Sequence, residues 1–288
     1  MRVDLFVIDG QNSFCDPSGA LYVEGADKEA VLVANMIKRL RTTRPKGHKI
    51  SKIHASLDSH PLNDCSHNVV WIDEQGQIAP PFTIVSHADV VSHKWRPRFA
   101  TGFWQGKQVS PREWALEYTK SLEKEGRAPL CLWPVHCQIA SPGQCGYPPL
   151  MEAYDDWAEA TGGWIDFITK GHWPWTEHYS ALRADVIDPT VIATQLNAPV
   201  IEDADGADLI GWCGWAGSHC LRWTALDAIN NFGTGENAFL RKSVFFEDAS
   251  AAVPNPPGGP DFAQWRRDFL DEVKQRGAQI MKTTEFLT

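Results

Sequence analysis

Six short apolar runs, each closing on a turn or a polar residue, punctuate the chain: "RVDLFVID" (2–9), "KISKIHASLD" (49–58), "APLCLWP" (128–134), "GWIDFITK" (163–170), "ADLIGWCGWA" (207–216) and "SVFFEDA" (243–249). Apolar positions at helical spacing lie between several of them, over 26–41, 111–125, 189–197 and 220–232. Strands apolar along their whole length are buried on both faces, and their alternation with helices predicts a parallel sheet with helices packed against it. The expected architecture is an α/β three-layer sandwich, its mostly parallel sheet of roughly six strands covered by helices on both faces. Chemistry in such a sheet gathers at the carboxyl ends of the strands.

Two stretches break the rhythm. The segment 77–114 is rich in tryptophan and carries adjacent prolines, which predicts an insertion near the site, and "VPNPPGGPDF" (253–262) predicts a linker to a short charged helix over 263–276. A net charge of -9 argues against a phosphate backbone or an anionic membrane surface as partner. No run approaches the twenty apolar residues of a bilayer span, and Asp4 and Asp9 interrupt what a signal peptide needs, so the expected location is cytoplasmic. Seven cysteines without a C-x-x-C pair predict free thiols.

The strand ends carry the candidate chemistry. Asp9 closes the first run, and Asp58 and His60 close the second, two residues apart, a spacing that in an extended segment turns both side chains to one side. Turn caps use the same residue types, so a metal needs a third ligand. His136, just past the third run, is one candidate; His67, Cys65, Asp64 and Cys137 compete with it, and spacing does not choose among them. Trp133 offers a flat face to an aromatic substrate. Lys170 ends the fourth run, where a cation directly after an apolar strand asks for a paired charge. Cys220 lies where a small-residue turn enters a helical pattern, a position whose dipole and free N–H groups favour a thiolate and could hold an oxyanion, although a buried structural thiol is the commoner fate of a cysteine. Ser218 lacks a G-x-S-x-G elbow and is set aside.

In order along the chain, "DGQNSF" (9–14), "GALYVEGA" (19–26), "DSHP" (58–61), "WPVHC" (133–137), "GWAGSHCLRWTALDA" (214–228) and "EDASAAV" (247–253) resemble the motifs of the isochorismatase-like cysteine hydrolases, and more closely their nicotinamidase branch. The resemblance runs from residue 3 to residue 253. It implies a triad of Asp9, Lys170 and Cys220, an oxyanion hole from the N–H groups of Ala216 and Cys220, and a cis peptide at Trp215–Ala216. It also implies one divalent metal ion on Asp58, His60 and His136, with zinc favoured over iron or manganese, and a ring pocket lined by Phe14 and Trp133. Against the family pattern, Ser59 stands where a tryptophan is usual and Asp64 where a further histidine often follows. The chain is also longer than usual, so it is read as a single domain over 1–288 with insertions at about 77–128 and 145–165 and a C-terminal helical extension at about 254–288.

The function this implies is metal-dependent hydrolysis of nicotinamide to nicotinate and ammonia through a Cys220 thioester. The partner is a small amide, not nucleic acid or membrane, and a homo-oligomer is left open. Two other readings stand beside it: hydrolysis of another small amide, ureide or imide, and a non-catalytic member of the fold that binds a small ligand.

Overall fold

The structure is a computed structural model that describes residues 1–42, 48–231, 236–256 and 258–288. Six parallel strands form its central sheet: β1 (Val3–Ile8), β2 (Lys52–Asp58), β3 (Asp166–Lys170), β4 (Leu209–Gly214), β5 (Ser243–Phe246) and β6 (Gln279–Met281). Their order is β6-β5-β4-β1-β2-β3, and with the surrounding helices they make an α/β three-layer sandwich. Every residue of β1 is buried, as its unbroken apolar run predicts for a central parallel strand. The register sets Ile8 opposite Gly214 and Asp58 opposite Lys170. Asp9, Asp58 and Lys170 therefore leave the sheet at the carboxyl end of neighbouring strands.

The longer helices are α1 (Ala26–Leu40), α2 (Pro111–Glu125), α3 (Pro148–Thr161), α4 (Ala198–Asp205), α5 (Cys220–Asn231) and α6 (Phe262–Gln275). α2 starts with Pro111 behind the Ser110 side chain, which accepts from the N–H of Glu113, and ends on Gly126 at φ 66°. Among the described residues no helix is long and apolar enough to cross a membrane.

Three elements depart from the sequence pattern. The run 128–134 supplies a strand, Leu130–Leu132, that pairs antiparallel with Thr83–Val85 outside the central sheet. The sixth central strand is instead β6, whose three residues fall below the length at which alternation can be read. The helix predicted over 189–197 lies farther on, because Pro199 suits a first helical turn and α4 begins at Ala198; only a 3-10 turn forms at Ile192–Thr194. The end of the helix predicted to residue 232 falls outside the described residues.

A second core lies apart from the sheet, where Trp71, Val85, Val90, Trp114, Tyr118, Leu130 and Leu132 pack together. Within it Trp114 stacks on Tyr118, with centroids 5.2 Å apart, and meets Trp175 edge-on at 5.6 Å. The tryptophan-rich segment is thus a packed aromatic layer.

Near the opposite, amino end of the strands His54 is buried, its Nδ1 2.8 Å from Asp166 and its Nε2 3.5 Å from Asp4 and 3.8 Å from Asp203. Arg2 pairs with Asp4 and Asp203, and Lys52 with Asp203 and Asp166. Burial disfavours the charged ring, yet the hydrogen bonds and charges of Asp166 and Asp4 outweigh it and raise the His54 pKa. A raised folded pKa contributes stability that is complete below the unfolded value, about 6.5, and is lost as pH rises through the folded one. His54→Gln should therefore destabilise the protein at pH 5.5 more than at pH 8.5 in urea titrations. An equal deficit at both values removes the imidazolium from the account.

Candidate active site

Asp9 follows β1 with φ at 53° and is fully buried. Ser56 of β2 holds it twice: its hydroxyl accepts from the Asp9 N–H at 3.0 Å and donates to Asp9 Oδ1 at 2.5 Å. The other carboxylate oxygen faces the Lys170 ammonium at 3.1 Å. Lys170 Nζ also lies 2.8 Å from Asp58 Oδ1, donates to the His178 carbonyl at 2.8 Å and stands 3.8 Å from Cys220 Sγ. One buried cation thus joins the ends of three strands to the first residue of α5.

The charges follow from this packing. Burial would lower the Lys170 pKa, but Asp58 and Asp9 raise it well above the ordinary value, so the ammonium is permanent. Burial raises the Asp9 carboxyl; Lys170 opposes this and Asp58 adds to it. Burial also pushes the Cys220 thiol well above its usual range against the pull of Lys170, with Asp9 and Asp58 reinforcing it. This direction is opposite to the one a helix N-terminus alone would give, because desolvation beside two carboxylates disfavours the thiolate. The Cys220 turn closes on the Ala216 carbonyl, which accepts from the N–H groups of His219 and Leu221, and the Trp215–Ala216 peptide is cis.

Asp58 continues the network through its second oxygen, which lies 2.8 Å from His60 Nε2 and 3.3 Å from His136 Nε2. All three residues are buried. Each ring is held from behind, His60 Nδ1 3.1 Å from Asp64 and His136 Nδ1 2.9 Å from the Pro134 carbonyl, so both turn Nε2 toward Asp58. A carboxylate and two imidazoles backed in this way are the donor set and second layer of a divalent metal site, and these residues fit one. His67 is turned elsewhere, with Nδ1 on the Leu62 carbonyl and Nε2 accepting from the His136 N–H. Cys65 sits in the second core, and the Cys137 thiol points to the Gly143 carbonyl. Among the described residues one other group, Asp4, His54 and Asp203, brings three ligand-type atoms within 4.8 Å, but Arg2 and Lys52 already occupy its carboxylates.

A narrow cavity opens onto this centre, lined by Phe14, Trp133, Asp58, His136, Lys170, Ala216 and Cys220, together with Glu177, Tyr179 and His219. Sequence reasoning missed the last three, and also Ser56 and Gln11. Gln11 clamps the Asp58 backbone in both directions, donating to its carbonyl at 2.8 Å and accepting from its N–H at 2.7 Å. Glu177 is pushed up to about 8, chiefly by burial; His60 opposes this and Asp64, Asp58 and Asp185 add to it. The segment bearing it is braced by α2: Tyr118 Oη accepts from the Glu177 N–H at 3.1 Å, and the Trp114 indole donates to the Trp175 carbonyl at 3.1 Å. The aromatic layer of the tryptophan-rich segment thereby supports one wall of the cavity.

No protein-family model and no curated relative matches the chain. Solved structures do. A nicotinamidase/pyrazinamidase from Acinetobacter baumanii superposes with a TM-score of 0.61 at 21% identity, covering 99% of this chain and 98% of that one. The yeast nicotinamidase bound to the inhibitor nicotinaldehyde gives 0.61 at 15% identity over 97% and 99%. The pyrazinamidase of Pyrococcus horikoshii in complex with zinc gives 0.53 at 21% identity over 98% and 99%. An isochorismatase-like hydrolase shares the same architecture. The chain thus shares the fold of these solved nicotinamidases, pyrazinamidases and isochorismatase-like hydrolase.

Proposed function

We propose that the protein is a metal-dependent cysteine amidohydrolase that converts nicotinamide to nicotinate and ammonia. The observation that carries this reading is the position of Lys170 Nζ, 3.1 Å from Asp9, 3.8 Å from Cys220 Sγ and 2.8 Å from Asp58, whose other oxygen faces His60 and His136. Structural neighbours named as nicotinamidases, and a pyrazinamidase in complex with zinc, support it.

In the proposed reaction Cys220 passes its proton to Asp9, and the sulfur attacks the carboxamide carbon. The N–H groups of Ala216 and Cys220 receive the developing oxyanion. Asp9 gives its proton to the nitrogen, the C–N bond breaks, ammonia leaves and a thioester remains. A water molecule then surrenders a proton to Asp9 and attacks the thioester, the C–S bond breaks, and the proton returns to sulfur as the acid departs. Lys170 stays charged throughout and keeps Asp9 and Cys220 in register. Asp58, His60 and His136 would hold a divalent cation, with zinc first and iron or manganese as alternatives, and such a cation would supply a Lewis acid to anchor the substrate ring. Phe14 and Trp133 provide the apolar walls. A resting thiol that carries its proton also protects the nucleophile until substrate enters.

The test is ammonia release from nicotinamide by the purified protein, before and after treatment with a chelator and return of zinc. Activity that disappears and recovers supports the reading. No release in any metal state removes nicotinamide as substrate.

A further inference from the structure

Glu177 is a buried carboxyl with one oxygen in use and one to spare. Its Oε1 accepts from the His178 N–H at 2.8 Å, its backbone N–H donates to Tyr118 at 3.1 Å, and its carbonyl accepts from the Asp185 N–H at 2.8 Å. Three contacts from two directions fix the residue, while Oε2 has no hydrogen-bond partner among the described residues. The side chain lines the cavity that holds Cys220 and Lys170. An unpaired buried carboxyl oxygen costs free energy unless a ligand pairs with it. Phe14, Leu21, Trp133 and Val253, in the same cavity, offer an aromatic ring nothing but apolar contact.

We propose that Glu177 is a specificity-determining residue, and that the preferred substrate is an aromatic carboxamide carrying a hydrogen-bonding ring substituent, such as a hydroxyl or amino group, that pairs with Oε2. This rests on the amidohydrolase reading and narrows it. Glu177 is not one of the residues that move protons or hold the metal. Its contribution is discrimination: a site built to hydrogen-bond a polar group rejects the analogue that lacks it, because the protein's own group is then left unpaired. α2 takes part indirectly, since Tyr118 sets the Glu177 backbone on which the carboxyl is presented.

The experiment compares kcat/KM for nicotinamide with that for pyridine-3-carboxamides bearing one hydroxyl or amino group at each free ring position in turn. It uses the zinc-loaded wild-type protein, Glu177→Gln and Glu177→Leu, with bound zinc measured in each. One substituted amide should outrun nicotinamide by about tenfold or more in the wild type. That preference should survive in Glu177→Gln, which keeps the size and hydrogen-bonding capacity, and vanish in Glu177→Leu. Glu177→Gln also guards against a leucine variant that fails to fold. Hydrolysis of every amide with no preference, or a preference that Glu177→Leu leaves intact, overturns the inference while the amidohydrolase reading stands. Loss of zinc from Glu177→Leu with unchanged selectivity overturns it too and gives the carboxyl to the metal. Failure to hydrolyse any of these amides ends both.

Discussion

Alanine in place of Cys220 should abolish ammonia release from nicotinamide, with kcat falling roughly 10⁵- to 10⁶-fold, as removal of a covalent nucleophile does. The variant should keep its fold and its metal. Cys220 is a small residue at the start of α5, and neither Asp58, His60 nor His136 draws a hydrogen bond from it. Alanine leaves the Ala216 turn with its backbone bonds to His219 and Leu221. It also relieves the buried carboxylates of a neighbour that would have to ionise beside them. Bound zinc, measured by mass spectrometry of the desalted protein, should remain equimolar in the variant and the wild type. Activity within tenfold of the wild type rules out the thioester; lost activity accompanied by lost zinc shows that the cysteine supports the metal site instead.

The contrast between the resting thiol and the reaction it must perform bears on how that site works. Burial raises the Cys220 thiol well above its usual range, so the sulfur keeps its proton at neutral pH. The structure therefore predicts slow alkylation of Cys220 at pH 7 in the free protein, opposite to the rapid reaction a helix N-terminus alone suggests. In the proposed reaction, substrate in the cavity would bring an electrophilic carbon to the sulfur, and proton transfer to Asp9 would be productive only then.

Much of this was legible before the fold was known, for a physical reason. A strand apolar from end to end announces burial, so a charge at its last position makes Asp9, Asp58 and Lys170 candidates, although turn caps and a surface lysine account for the same residues and their roles come only with the family resemblance. The register that puts Asp58 opposite Lys170 then brings two of those candidates into contact. Contacts between residues far apart in sequence were not legible. Spacing left His67, Asp64, Cys65 and Cys137 level with His136; the family resemblance favoured His136, and the three-dimensional path gives the physical reason. His67 is spent on backbone groups, whereas Asp64 stands behind His60. Glu177 follows no apolar run and carries no motif in its neighbourhood; its place in the cavity depends on Tyr118, which lies 59 residues earlier. β6 was missed because three residues give alternation nothing to act on, and it joins the sheet by pairing with β5.

Lys170→Met should be the most damaging single change to stability at this end of the sheet. Methionine matches the aliphatic stem of lysine, so packing changes little, but Asp9 and Asp58 lose the cation they share at 3.1 and 2.8 Å. Removing one partner of a buried ion pair costs about 3 to 5 kcal/mol, because the remaining charge has neither water nor counter-ion. Here two carboxylates are left, and each also repels the other. Asp9, already raised by burial, then loses the cation that opposes the rise, and Asp58 loses one of the cations that hold it low; with both carboxyls shifted upward, the variant is destabilised above the unfolded carboxylate range and recovers as falling pH protonates them. Zinc at the proposed site would offer a second counter-charge to Asp58, through the oxygen that faces His60 and His136, but none to Asp9. Urea titrations of the metal-free variant should thus show a large deficit at pH 7.5, a smaller one at pH 5, and partial recovery on adding zinc at pH 7.5. A deficit below about 1 kcal/mol that ignores both pH and zinc would mean that the two carboxylates do not depend on Lys170, and the lysine-centred arrangement proposed for the reaction would fall with it.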